Sequence, residues 1–377
     1  MDFSFTEEQQ EVSALAARIL RELVTVDRLR EVEAGPDRFD RSVWRALADA
    51  GLLGIGLPED VGGGGYGVIE QCLVLEQVGR TLAPVPVLAS IATAAATIAE
   101  HGTPEQRTLW AAPAADGSTV LTAALAEPVG YDPTAPATTA TPDGDGWRLT
   151  GVKTTVPSAP VADAVLVPAA VEGRAAVFVV PLDAPGLTLS RQRTTNGETA
   201  GLLELDGCAV GADALVGSVE AGPAVLRTLL RRATLGLCAL QLGVTAEALA
   251  ITSRYTIERV QFGRPIATFQ AVGHRCADCY IDVEAVRLTL WQAAWAMAEG
   301  LPADVEVEVA KFWAADAGHR VAHAAVHLHG GMGVATEYPV HRYFTWAKQV
   351  ELSLGGATAQ LLRLGAALAA EPETTWT

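Results

Sequence analysis

Helical periodicity at both ends of the chain and β-type runs between them predict three domains. These are an N-terminal all-α domain (1–117), a middle small β-barrel domain (118–217) and a C-terminal four-helix bundle (218–377). The length of 377 residues agrees, because it exceeds the usual single-domain size. Half of the residues are apolar and the mean hydropathy is positive, enough for a sizeable core.

Thr6-Glu7-Glu8-Gln9 has the pattern of a capping box, with Thr6 at the N-cap and Gln9 three residues on. Val12, Leu15, Ala16, Ile19 and Leu20 then repeat at helical spacing. A second helix is expected from about Ser42 to Ala50, ending at Gly51. The glycine-rich loop from Pro58 to Gly67, with its VGGGGYG run, lacks the Lys-Ser/Thr of a phosphate loop and reads as a turn. Helical pattern returns from Val68 to about Arg80 and from Leu88 to His101.

Near Gly117 the pattern changes. Val120 to Ala124, Trp147 to Thr150, Ala164 to Pro168, Ala176 to Val180, Leu187 to Ser190 and Leu202 to Leu205 are short β-type runs. Gly, Pro and Asp clusters separate them at the spacing of a small barrel or sandwich. From about Pro223 four long helices are expected: to Val260, from Phe269 to about Ala298, from Ala303 to His329, and from beyond Pro339 to about Ala369. Their wide apolar faces, bearing Trp291, Trp295 and Trp313, imply a second surface to bury and hence an oligomer.

A formal charge of −17 argues against nucleic acid and against an anionic membrane surface as partners, though not against a nucleotide in a local basic pocket. No apolar run approaches the roughly 18 residues of a membrane span. MDFSFTEEQQ lacks the basic start of an ordinary secretory signal, and the expected location is cytoplasmic. Five cysteines without a framework spacing imply reduced thiols.

Chemistry concentrates where the first bundle helix ends. Arg259, Gln261, Arg264 and Gln270 crowd a break at Phe262-Gly263-Arg264-Pro265, with Phe262 and Phe269 among them. Gly263 permits a tight turn, and Pro265 suits a helix start. Guanidinium, amide and aromatic groups are what a pyrophosphate and a planar ring require. By composition alone, a capped inter-helix turn with solvated charges fits the break better.

Other constellations are weaker. Cys276-Ala-Asp-Cys279 lies in a helical run without a second ligand pair, so it reads as two small residues on one helix face. His319, His323 and His327 share a face, but no carboxylate stands as in H-E-x-x-H, and no metal site is expected. His329-Gly330-Gly331-Met332-Gly333 resembles an oxyanion-hole loop, yet no G-x-S-x-G elbow accompanies it. Its glycines suit close backbone approach to a cofactor.

The helical, β and helical order, the E-R-x-x-F-G-x-P-I-x-x-F-Q break from Glu258 to Gln270, and the later H-G-G-x-G together resemble the acyl-CoA dehydrogenase family. Leu328 to Val340, Trp44 and the Gly51-Leu52 to Pro58-Glu59 region extend the likeness over essentially the whole chain. The resemblance implies the acyl-CoA dehydrogenase fold, with FAD at a subunit interface and α,β-dehydrogenation of an acyl-CoA. It also implies that Arg259, Gln261, Phe262, Phe269, Gln270, His327, Gly330 and Gly331 reach the adenosine-pyrophosphate half of a neighbour's FAD. Phe269 and His327 stand where His and Gln are commoner.

The half that faces the flavin ring departs from the family. T-E-P-x-x-G-S-D appears as Ala126-Glu127-Pro128-Val129-Gly130-Tyr131-Asp132-Pro133, with a carboxylate where a hydroxyl meets the cofactor. W-I-S/T appears as Thr155-Val156-Pro157. The two positions of the family's catalytic Glu fall at Leu354 and about Ala233, neither of which accepts a proton. Glu247 is a conceivable relocated base, but on a straight helix it lies roughly 21 Å beyond Ala233.

Tyr338 to Phe344 and Leu354 to Thr358 resemble the non-catalytic subunit of heteromeric steroid side-chain acyl-CoA dehydrogenases from cholesterol-degrading bacteria. That likeness implies an α2β2 heterotetramer with a homologous Glu-bearing subunit. The partner binds most of the steroid-CoA substrate and shares the FAD. The alternatives are a self-sufficient homomeric dehydrogenase using Glu247, or a scaffold that makes no FAD contact.

Overall fold

The computed structural model describes residues 4–128 and 132–370. Val129, Gly130 and Tyr131 of the altered family segment lie outside the described residues. The chain divides into two compact units, Met1–Gln71 with Pro84–Gly236, and Cys72–Ala83 with Leu237–Thr377.

In the first unit, Thr6 starts α1 (Glu7–Leu23) as its sequence requires. The Thr6 hydroxyl accepts the Gln9 N–H at 3.3 Å, and the Gln9 side chain accepts the Thr6 N–H at 3.0 Å. Val12, Ala16 and Leu20 form its buried face. After α2 (Val26–Ala34), Asp40 caps α3 (Arg41–Asp49), accepting the Ser42 and Val43 N–H groups and the Arg28 guanidinium. The Val61 to Gly67 stretch is a turn folded on backbone: a Cβ on Gly63 would lie 2.2 Å from the Leu57 carbonyl oxygen. α4 (Val68–Thr81) passes from the first unit into the second. Val87–Ala95 forms wide i→i+5 turns before α5 (Ala96–His101), and Arg107–Ala111 does the same between α6 (Pro104–Gln106) and α7 (Ala112–Ala115).

Seven strands form one sheet: β1 (Leu121–Ala123), β2 (Thr139–Asp143), β3 (Gly146–Pro157), β4 (Ala164–Val171), β5 (Arg174–Pro181), β6 (Leu187–Arg193) and β7 (Thr199–Val210). Their order is β1-β4-β2-β3-β7-β6, with β5 paired to β4. Leu149, Val167, Phe178 and Leu203, all fully buried, share one core. β2 was not expected. Only Ala140 of its five residues is buried, so its Thr, Pro and Asp carry no apolar alternation to betray a strand.

The second unit is the helical bundle. α8 (Gly222–Glu258) enters it from the first, followed by the β8–β9 hairpin (Val260–Gln261 and Arg264–Pro265), α9 (Gln270–Ala298) and α10 (Asp304–His329). α8 is long and apolar enough to cross a membrane by length and composition, and 72% of that apolar window is buried inside the protein. Gln241 on α8 is fully buried and ties three helices, donating to the carbonyls of Ala314 (3.0 Å) on α10 and Ala347 (3.3 Å). Gly318 makes room, since a Cβ there would lie 1.8 Å from the Gln241 amide nitrogen.

The expected fourth helix is two: α11 (Val340–Leu352) and α12 (Ala357–Ala370). Leu354 and Gly355 break it with φ +55° and +95°. The carbonyls they free are taken by side chains. Gln360 Nε2 donates to Leu354 O and Gly355 O at 3.1 and 2.9 Å, and Lys311 Nζ donates to Gly355 O at 3.1 Å.

Candidate cofactor surface

α8 stops at Glu258, two residues earlier than its apolar pattern suggests, and the hairpin turns through Phe262 (φ +54°) and Gly263 (φ +78°). Arg259, Gln261, Phe262 and Gln270 are exposed, Phe262 to 92%. Phe262 meets Phe269 edge-on with ring centroids 6.0 Å apart, and the Arg264 guanidinium lies 4.1 Å above the Phe269 ring. Gln261 Nε2 donates to its neighbour Val260 O at 2.7 Å.

At the far end of α10, His327 is exposed and the helix terminates at Gly330, whose φ of +58° and ψ of −135° suit only glycine. A Cβ added at Gly263, Gly330 or Gly331 meets nothing within 4 Å among the described residues. Two segments of the second unit thus present guanidinium, amides, aromatic rings and unobstructed backbone. That set suits a diphosphate and a planar base.

His329 belongs to the second of these segments, and the sequence marked it only as the head of H-G-G-x-G. It is 3% exposed, and Tyr255 stacks on it at 4.3 Å. His319 and His323, the other two histidines of the shared face, have partners of their own. Their rings lie 4.3 Å apart with 33° between planes, and His319 Nδ1 lies 3.3 Å from the Glu351 carboxylate. Cys276 and Cys279 are free thiols on α9, and burial pushes that of Cys279 up to about 12. Among the described residues no group of three or more His, Cys, Asp or Glu is placed to hold a metal ion.

The altered family segments lie in the first unit, and their own chain closes them. The Thr154 N–H donates to Ala126 O at 3.0 Å. Glu127 accepts from the N–H groups of Ala137 and Thr138, the Thr138 hydroxyl and the nearly buried Lys153 ammonium, the last at 2.7 Å. Burial pushes the Glu127 carboxyl up, but the Lys153 and Thr138 hydrogen bonds outweigh it and hold it below its usual value. Asp132 is occupied by the Thr134 N–H and hydroxyl. Thr155 has φ +48°, and its N–H donates to Gln192 Oε1 at 2.7 Å, while Gln192 Nε2 donates to Thr154 Oγ1 at 3.1 Å. No sequence pattern linked Gln192 to Thr155, because the contact depends on β6 and β3 flanking β7 in the sheet.

Of the two expected base positions, Ala233 is buried, and Leu354 lies in the α11–α12 connection described above. Glu247 lies within 4.0 Å of Arg80 and 3.3 Å of Arg254.

Three domain models describe successive parts of the chain: the acyl-CoA dehydrogenase N-terminal domain over residues 6–118, the middle domain over 122–208 and the C-terminal domain over 220–369. The chain belongs to the acyl-CoA dehydrogenase family. Acyl-CoA dehydrogenase FadE27 of Mycobacterium tuberculosis is 47% identical over 99% of this chain and 100% of its own length. The ChsE4-ChsE5 complex from the same organism contains a chain matching with a TM-score of 0.94 at 47% identity, over 100% of both chains. A variant of the Tcur3481-Tcur3483 steroid ACAD matches with a TM-score of 0.92 at 47% identity, covering 98% of this chain and 99% of the other. This acyl-CoA dehydrogenase chain thus shares its fold and nearly half its residues with a member of each of two two-component assemblies.

Proposed function

We propose that the chain is the non-catalytic subunit of a heteromeric acyl-CoA dehydrogenase acting on steroid side-chain CoA thioesters. In this reading it completes the FAD site of a homologous, Glu-bearing partner within an α2β2 heterotetramer. One contrast carries the reading: Arg259, Gln261, Phe262 and Gln270 are kept and exposed, whereas Leu354 and Ala233 leave no carboxylate at either base position. The likeness to chains of the ChsE4-ChsE5 complex and of the Tcur3481-Tcur3483 steroid ACAD supports the heteromeric assembly and the substrate class.

Arg259, Gln261, Gln270 and His327 would hold the adenosine-pyrophosphate portion, with Phe262 and Phe269 as apolar walls and Gly330-Gly331 admitting the ligand close to the backbone. FAD, when bound, supplies the two-electron acceptor for the Cα–Cβ bond. This chain's share is binding and orientation, since Leu354 and Ala233 can neither hold nor move a proton.

Coexpression with the Glu-bearing subunit should give a yellow complex that dehydrogenates steroid-CoA esters, and the chain purified alone should be colourless and inactive. One FAD per isolated chain, together with turnover, would overturn the proposal. Replacing Glu247 with Gln in the complex should leave kcat within about twofold, because an ion pair this near the surface contributes roughly 0–1 kcal/mol. Abolished turnover in that variant would instead establish Glu247 as a relocated base.

A further inference from the structure

The two cofactor-facing segments are separated by about sixty residues of sequence, yet one aromatic contact joins them. We propose that Tyr255, His329 and Tyr338 form a latch that fixes the Gly330-Gly331 turn to the end of α8, with His329 as a positioning residue for FAD binding. The inference rests on the reading of Arg259 and Gly330-Gly331 as FAD contacts.

The His329 ring stacks on Tyr255 at 4.3 Å with 27° between planes and meets Tyr338 at 5.2 Å, while Tyr255 and Tyr338 meet edge-on at 6.1 Å. Offset-stacked and edge-on rings such as the two Tyr255 pairs are the arrangements that the ring quadrupoles favour. Nδ1 of His329 lies 2.7 Å from Ala325 O, so Nδ1 carries the proton and donates. Nε2 is buried without a partner among the described residues, which leaves the ring oriented by stacking and by that hydrogen bond.

Tyr255 and His329 are each joined to a cofactor-facing element. Tyr255 O accepts the Arg259 N–H at 2.8 Å, so the tyrosine sits one turn before the hairpin. The Tyr255 hydroxyl donates to His329 O at 3.4 Å, at the point where Gly330 leaves α10. Beyond it, Gly333 folds back on α10 so closely that a Cβ would lie 2.6 Å from Val326 O. Removing the imidazole therefore takes away the ring stacked between the turn and the end of α8, leaves the Tyr255 hydroxyl bond to His329 O, and touches no group proposed to contact the cofactor.

The test compares H329A, H329F, Y255L and R259A in the full chain, alone for amide hydrogen exchange and coexpressed with the Glu-bearing subunit for flavin content. H329A should accelerate exchange in both 330–334 and the distant 260–269 hairpin and reduce bound flavin at least fivefold. H329F keeps a stacking ring and should restore more than half of the flavin. Y255L cuts the same contact from the other side and decides the matter if H329A does not fold; adding H329A to it should cost little more. If exchange changes only in 330–334, or flavin stays within twofold of wild type while R259A loses it, the latch is refuted and the FAD reading stands. Full flavin in R259A refutes the FAD reading itself.

Discussion

Replacing Arg259 with Ala in the coexpressed complex should weaken flavin retention about 10- to 100-fold, the equivalent of one lost charge-assisted hydrogen bond of roughly 1.5–3 kcal/mol. The argument rests on what Arg259 does not do within its own chain. Its side chain is exposed and makes no hydrogen bond or ion pair among the described residues, so the fold does not depend on it. Loss of flavin in R259A therefore cannot be laid to unfolding, and the thermal midpoint of the isolated chain should stay unchanged. Lysine at this position should recover only part of the affinity, because its point charge lacks the planar fork that meets a phosphate twice. A complex that retains full flavin would reduce the subunit to a scaffold.

Much of this surface was legible in the sequence because it is local. Phe262-Gly263-Arg264-Pro265 interrupts two apolar helical patterns, and that interruption is the β8–β9 hairpin. The fold class was legible for a similar reason, since periodicity changes near Gly117 and again near Pro223. The break inside the last helix was signalled by Gly355-Gly356, but apolar residues on both sides concealed it. β2 was hidden because an exposed strand need not alternate. Contacts across long sequence separations left no trace. Tyr255 lies 74 residues before His329, and His329 falls outside the i, i+4 series that drew attention to His319, His323 and His327. Gln192 occupies Thr154 and Thr155 only because the sheet order brings its strand near theirs. Sequence pattern reveals which face a residue takes; which residue it meets there depends on the fold.

Lys311 is the second residue whose loss should have a large effect, and its position in the sequence suggested nothing. It is fully buried on α10, and its ammonium donates to Val350 O (3.1 Å), Glu351 O (3.2 Å) and Gly355 O (3.1 Å). These carbonyls flank the helix break at Leu354, the position at which catalytic members of the family are expected to carry their base. Lys311→Met preserves most of the volume but takes the ammonium from the Val350 and Glu351 carbonyls and leaves Gly355 O with the Gln360 amide, and should lower unfolding stability by about 3 kcal/mol in urea titration. A loss below about 1 kcal/mol would mean that water or the Gln360 amide takes over the cage. The pH dependence gives an independent check. Burial pushes the Lys311 ammonium down to about 8, so it is charged at neutral pH. Between about pH 8 and the ordinary lysine value near 10.4, the unfolded chain binds a proton that the folded chain has released. Stability contributed by this group must therefore rise with pH across that window and stay level below it. The advantage of wild type over K311M should widen as the pH climbs from 8. A constant difference would show instead that the three carbonyls hold the proton on Lys311 as tightly as water does, and that the break at Leu354 is fastened by hydrogen bonds with no net cost of burying the charge.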